Sequence, residues 1–385
     1  MTVKELGELR RRLRPDKNAI SRIYGCYVNS SREIISYLDE SLGTMPQDES
    51  EKYLSLLKKG LSGGLGRNLI DIVFSTAQVM DSDEHRLLTA LRDSELKDAE
   101  ARNRFYQTVI DSLEMEDCNY LILLACDVYD VPHRSKDDEL QPDASDEVFR
   151  YILCSICPVK DGKPELGFFS GDNEFHSCMA SQIVSQPELG FLFPAFDDRT
   201  ANIYNALLYT RTPDQVHHEF IAAVFHTEPP LSAAEQRETF QSALCGTLEG
   251  ACSMEVVQSV HDYLRQRIQE HKESRDPEPL AVTAGEVSGV LRNCGVPEER
   301  VEAFQTACGQ SFGEGALTPA NLIDAKHFAV KTADATIQVD PERSYLVEAR
   351  VIDGRRYLLV PADESVEVNG LGVRIAAAKD GGETT

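Results

Sequence analysis

Residues 120–128 read YLILLACDV and residues 148–157 read VFRYILCSIC. Runs of this length, almost wholly apolar and bounded by polar sequence, predict strands covered on both faces, because a half-exposed strand would alternate. The segment between them, HRSKDDELQPDAS at 133–145, reads as a polar surface loop. Upstream, residues 20–28 and 33–38 are rich in β-formers and flank Asn29, Ser30 and Ser31, which predicts a hairpin. Residues 68–74, 191–196 and 203–209 supply further strands. Helices are expected at 3–14, ended by Pro15, at 47–59, and as a pair within 83–113.

From Thr212 the apolar period lengthens from two to about 3.6. Thr212-Pro213-Asp214-Gln215 and Ser232-Ala233-Ala234-Glu235 both have the form of a capping box, so a helix is expected after each. Residues 253–269 place Val256, Val257, Val260, Leu264 and Ile268 on one stripe, which needs a surface to bury it. Two shorter helices follow near 285–292 and 297–308. The last strands flank Asp353-Gly354 and Asn369-Gly370, dipeptides suited to tight hairpin turns. The fold expected is α+β: a mixed or antiparallel sheet domain at 1–225, a helical region at 226–322, a small β module at 323–376 and a mobile tail at 377–385.

Composition narrows the function. Of 385 residues, 39 are Lys or Arg and 64 are Asp or Glu, a formal charge of −25 that disfavours general adhesion to phosphate or anionic lipid. The longest apolar run, 120–126, is far below the roughly 20 residues of a membrane span, and the N-terminus lacks the apolar core of a secretion signal. A soluble cytoplasmic protein is expected. Its ten cysteines are scattered rather than densely spaced and read as buried free thiols.

Residues 1–25 reverse the charge, with a net +4 against −29 for the remainder. Arg10, Arg11, Arg12, Arg14 and Lys17 are the densest basic group and the first candidates for nucleic-acid contact, although a solvated helix face is the plainer reading. Lys58, Lys59 and Arg67 form a second basic candidate set. Asp197-Asp198-Arg199 could supply an acid and a base, but Asp between strands also makes turns.

Other motifs weaken on inspection. Cys154 and Cys157 have zinc-pair spacing, with His176 and Cys178 as conceivable partners, yet residues three apart on a strand point to opposite faces. Gly60, Gly63, Gly64 and Gly66 follow a helix and open a strand, the reverse of a dinucleotide fingerprint. His217-His218-Glu219 lacks the spacing that puts two imidazoles on one helix face, which predicts a half-buried His217 and an exposed Glu219. No metal, cofactor or catalytic residue is expected.

Five stretches carry a resemblance: RLRPDKNAISRIYGCYV (12–28), GLGRNLIDIVFSTAQV (64–79), YLILLACDVYDVP (120–132), YILCSICPVK (151–160) and LGFLFPAFDDRTANIYNALLYTR (189–211). Together they resemble an uncharacterised bacterial family, domain of unknown function 4317, over nearly the whole chain. The C-terminal half, from VHHEF (216–220) through the capped helices to FAVKTADATIQVDP (328–341) and GRRYLLVPADESVEVNG (354–370), is similar in element order to the bacterial nucleoid-associated protein family. That second resemblance implies a non-enzymatic protein of the cytoplasm or nucleoid, whose partner is double-stranded DNA or a DNA-associated protein, with a homodimer as one arrangement. The alternatives are an acidic adaptor or DNA mimic binding a basic protein, and an enzyme with its site near Asp197-Arg199.

Overall fold

A computed structural model describes the chain except residues 114, 116, 117, 135–139, 163, 164, 179–181, 229, 275, 277, 313–316, 326, 363–365, 369, 370 and 374–385. For 133, 134, 140–147, 165 and 178 it describes the backbone alone. The tail and the Asn369-Gly370 turn therefore lie outside the described residues. The chain divides into two compact units, Met1–Glu238 with Arg275–Leu280, and Thr239–Ser274 with Ala281–Thr385.

In chain order the first unit contains α1 (Val3–Arg12), β1 (Arg22–Val28), β2 (Ile34–Ser41), α2 (Gln47–Lys59), β3 (Leu69–Val73), α3 (Thr76–Asp81), α4 (Asp83–Asp93), α5 (Ala99–Ser112), β4 (Asn119–Arg134) and β5 (Leu140–Lys160). There follow β6 (Glu165–Phe169), β7 (Glu174–Cys178), β8 (Ile183–Val184), β9 (Leu189–Phe193), β10 (Ala195–Asp197), β11 (Thr200–Asn202), β12 (Asn205–Thr210) and α6 (His218–Phe225). An eight-stranded sheet runs β2-β1-β4-β5-β9-β12-β3, with β8 beside β5. Every pairing in it is antiparallel, which settles the sheet type that the sequence left open.

Strand alternation divides the core in two. Ile122, Leu124, Cys154, Ile156, Phe191 and Leu208 face α4, α5 and α6, meeting Leu88, Leu91, Phe105, Val109, Phe220 and Phe225. Leu123, Ala125, Tyr151, Leu153, Leu192 and Leu207 face the opposite way, onto Leu6 and Leu9 of α1, Leu13 just after it, and Leu54 and Leu57 of α2. With helices on both sides, β4 has no solvent face along its middle. That is why YLILLACDV does not alternate.

Three expectations are corrected. Segment 133–145 is not a loop at its described ends: β4 runs to Arg134 and β5 begins at Leu140, with His133 opposite Gln141 and Arg134 opposite Leu140. No helix starts after Thr212. The Thr210 hydroxyl lies 3.0 Å from the Thr212 carbonyl and 2.7 Å from that of Gln215, occupying acceptors that a helix there would need, and α6 starts only at His218. Between β9 and β12 an additional hairpin, β10 and β11, carries Asp198 and Arg199 in its turn.

The helix α7 (Ala233–Leu248) does begin at its capping box, the Ser232 amide donating to Glu235 at 2.8 Å and the Glu235 amide to Ser232 Oγ at 3.1 Å. In the second unit, α8 (Met254–Ser274), α9 (Ala284–Asn293), α10 (Glu298–Phe312) and α11 (Pro319–Leu322) enclose a core of Leu248, Val256, Val260, Leu264, Leu291 and Phe304. The hairpins β13 (Phe328–Lys331) with β14 (Thr336–Val339), β15 (Glu348–Ile352) with β16 (Arg355–Leu359), and β17 (Val366–Val368) with β18 (Leu371–Val373) complete it. Asp353 and Gly354 have φ of 49° and 77°, the positive pair that a tight turn demands.

Candidate nucleic-acid interface

Helix α1 begins at a complete capping box, Thr2 with Glu5, and buries Leu6 and Leu9 against the sheet. Its remaining faces separate the basic cluster into groups with different fates. Glu5, Glu8 and Arg12 recur at helical spacing and share one flank.

On that flank Arg12 is already engaged. Its Nε donates to Asp127 Oδ2 at 2.6 Å, its second terminal nitrogen to Oδ1 at 2.7 Å, and its guanidinium lies 4.3 Å from the centre of the Tyr129 ring. Asp127 also accepts from the Tyr151 hydroxyl at 2.7 Å. Burial works against the Arg12 charge, but the hydrogen bonds and charge of Asp127 outweigh it and hold the guanidinium pKa above its ordinary value. Burial, then the charge of Asp127, pushes the Tyr151 hydroxyl well up. Arg12 is thus a structural cation, set apart from the side chains able to reach a phosphate.

The Asp197-Asp198-Arg199 candidate meets the same flank. Asp198 and Arg199 have φ of 49° and 60° and form the β10–β11 turn. Arg199 donates to Glu8 at 2.6 Å and to the Pro132 carbonyl at 2.9 Å, while its backbone N–H donates to Glu5 at 3.0 Å. Asp197 accepts from Asn202 at 2.8 Å and pairs with the Met1 amine. Tyr129 donates to Glu8. These groups fasten α1 to the sheet. Sequence reasoning missed the network, although its signal was present: Asp127 is a lone charge inside an apolar strand, and such a charge requires a partner.

Arg10 turns towards α2. Its Nε donates to the Leu61 carbonyl at 2.6 Å and its terminal nitrogen to that of Gly63 at 3.0 Å, and burial lowers its pKa. Gly63 has φ of 89°, and a side chain there would collide with Asn68. The result is a cavity of about 410 Å³ lined by Arg10, Ser55, Lys58, Lys59, Ser62 and Gly63. Two basic sets that lie far apart in sequence therefore converge. Lys58 and Lys59 are exposed on the last turn of α2, where cations also complement the helix dipole. Arg11, Arg14, Lys17 and Arg67 are exposed as well. Ammonium groups and hydroxyls around an open cavity can bind phosphate oxygens. They present no geometry for reading bases.

The other motifs resolve locally. Cys154 packs into the core under α4–α6, whereas Cys157 joins Leu121 and Val159 on the opposite side. Burial pushes the Cys157 thiol up to about 12 and that of Cys154 well above its ordinary value. The side chain of Cys178 lies outside the described residues. Among the described cysteines Cys26, Cys154, Cys157 and Cys308 are buried as expected, whereas Cys118, Cys126, Cys252 and Cys294 are half-buried and Cys245 is exposed. His217, half-buried with φ of 52°, caps α6 beside a cavity of about 350 Å³ also lined by Asp214, His218 and Glu219. Among the described residues no three His, Cys, Asp or Glu side chains are grouped to hold a metal, and no helix is long and apolar enough to cross a membrane.

A search of curated proteins finds no match to this chain. The family model described as Domain of unknown function (DUF4317) matches residues 1–371, and the chain belongs to that family.

Proposed function

We propose that this is a non-enzymatic binding protein, nucleoid-associated in character, that engages double-stranded DNA or a DNA-bound partner through a local basic edge. The observation that carries the reading is the convergence of Arg10, Lys58 and Lys59 on one cavity in a chain of net charge −25. Exposed Arg11, Arg14 and Lys17 extend the set of cations from the end of α1 into the segment after it. The similarity of element order between the C-terminal half and nucleoid-associated proteins supports the same class, with the cytoplasm or nucleoid as its location. A homodimer would double the basic edge and raise avidity without new contacts.

The experiment is a duplex-binding titration at several salt concentrations. If about three cations contact phosphate, log affinity falls against log salt with a slope near −3, by the rule of roughly 0.9 per neutralised charge. Replacing Arg11, Arg14 and Lys17 by Gln, or Lys58 and Lys59 by Gln, flattens the slope and weakens unrelated duplex sequences about equally. No duplex binding at low salt, or binding unchanged in both variants, removes the proposal. The runner-up is an acidic adaptor or DNA mimic for a basic protein, favoured by the overall charge. The enzyme reading at Asp197-Arg199 loses ground because Arg199 is bonded to Glu8 of α1 and Asp197 to Asn202 and the Met1 amine.

A further inference from the structure

Among the described cysteines Cys245 alone is exposed, and its sulfur lies beside that of Cys252. Cys245 is exposed near the end of α7, Cys252 is half-buried just before α8, and their sulfurs lie 3.9 Å apart. We propose that this pair is an oxidisable dithiol, reduced at rest and closed to a disulfide by hydrogen peroxide or an organic hydroperoxide.

The local backbone favours closure. The connecting sequence is Cys-Gly-Thr-Leu-Glu-Gly-Ala-Cys, and side chains at either of its glycines, Gly246 and Gly250, would meet open space. At 3.9 Å the sulfurs are already near van der Waals contact, so side-chain rotation and a small backbone shift would bring them to the roughly 2.05 Å of a disulfide. Glu249, in the intervening turn, is held by Arg300 at 2.6 Å, and the same guanidinium reaches the Thr247 carbonyl at 3.4 Å. These bonds keep the two cysteines on one turn without occupying either sulfur.

Exposure assigns the order of events. The Cys245 thiolate attacks one peroxide oxygen; the S–O bond forms, the O–O bond breaks, and the departing hydroxide takes up a proton to leave as water. The Cys252 thiolate then attacks the Cys245 sulfur; the S–S bond forms, the S–O bond breaks, and hydroxide leaves with the proton that Cys252 gave up. Two thiols and one hydrogen peroxide give one disulfide and two waters; with an organic hydroperoxide the first leaving group is the alkoxide, and the products are one disulfide, one alcohol and one water. Four other thiols contrast sharply: burial raises Cys26, Cys126 and Cys157 to about 12 and Cys308 to about 11, where almost no thiolate exists near neutral pH. Cys252 is raised too, first by burial and then by Cys245, so the exposed Cys245 meets the peroxide first and Cys252 resolves it from contact distance.

Trypsin leaves both residues on one peptide, 238–265, because no Lys or Arg lies between Arg237 and Arg265. Reduced full-length protein is treated with about one equivalent of hydrogen peroxide, alkylated and mapped by mass spectrometry. The expected product is that peptide lighter by two hydrogens and closed to alkylation, restored by dithiothreitol. Cys252→Ser should instead halt at a Cys245 sulfenic acid trapped by dimedone, and Cys245→Ser should leave Cys252 alkylatable. Circular dichroism of each variant, with Cys245→Ala as a second replacement, separates loss of the reaction from loss of fold. Both thiols remaining alkylatable at a peroxide dose that oxidises free glutathione, or Cys245 linking only to other molecules, overturns the proposal.

Discussion

Arg12 shows how a residue can belong to a basic cluster in sequence and to the interior in the fold. Its side chain is 17% exposed and that of Asp127 is 1% exposed. Removing the cation leaves a carboxylate in the sheet with Tyr151 as its one remaining side-chain donor among the described residues. Arg12→Ala is expected to cost about 3 to 5 kcal/mol, the usual penalty for orphaning one member of a buried ion pair. Urea unfolding monitored by circular dichroism measures it. Arg11→Ala, one residue away and exposed, should change stability by no more than about 0.5 kcal/mol. Equal costs for the two would refute the separate assignments. The candidate site was legible in part at this scale: charge density identified the basic residues, but their directions depend on which face of α1 packs. The partners of Arg10 and Arg12 lie 51 and 115 residues away in sequence.

At the level of elements, local chemistry was readable in part, since the equally short-range Thr212 box starts no helix once the Thr210 hydroxyl takes its carbonyls. Helix α2 spans Gln47–Lys59 as its polar and apolar pattern requires, and the Ser232 and Thr283 caps are closed by Glu235 and Glu286. The long β4–β5 ribbon was less legible. Its far end carries polar residues, so alternation against a core cannot announce it, although ladder hydrogen bonding continues. The capping boxes make a prediction about pH. Backbone hydrogen bonds from Ser232 and Thr283 hold Glu235 and Glu286 below the ordinary carboxyl value of 4.5. Because the folded pKa is the lower one, each contribution is fully present above about 4.5 and is lost as pH falls through the folded value. Thermal melts between pH 6 and 3 should show a smaller acid-induced drop for Glu235→Gln and Glu286→Gln than for wild type. Parallel curves would argue that folding lowers neither carboxyl's pKa.

Charge acts on the whole molecule in two opposite ways. At −25 the folded chain repels itself, so added salt should raise its melting temperature while weakening any contact with a polyanion. Salt alone does not separate the two binding readings, since an acidic adaptor gripping a basic protein would also release it at high ionic strength. The sign of the ligand does. Replacing Arg11, Arg14, Lys17, Lys58 and Lys59 by Gln takes the formal charge from −25 to −30 and leaves the Arg12 and Arg199 ion pairs untouched. If the basic edge is the interface, this variant loses duplex DNA and keeps whatever weak affinity the wild type has for polylysine, or gains some. If the acidic surface is the interface, polylysine binding is strong in both proteins and the duplex is bound by neither. Fluorescence anisotropy with a labelled duplex and a labelled polylysine, at low and physiological salt, distinguishes these outcomes. Strong polylysine binding with no duplex binding would transfer the proposed function to the adaptor reading, because a non-specific phosphate contact must appear at low salt if it exists at all.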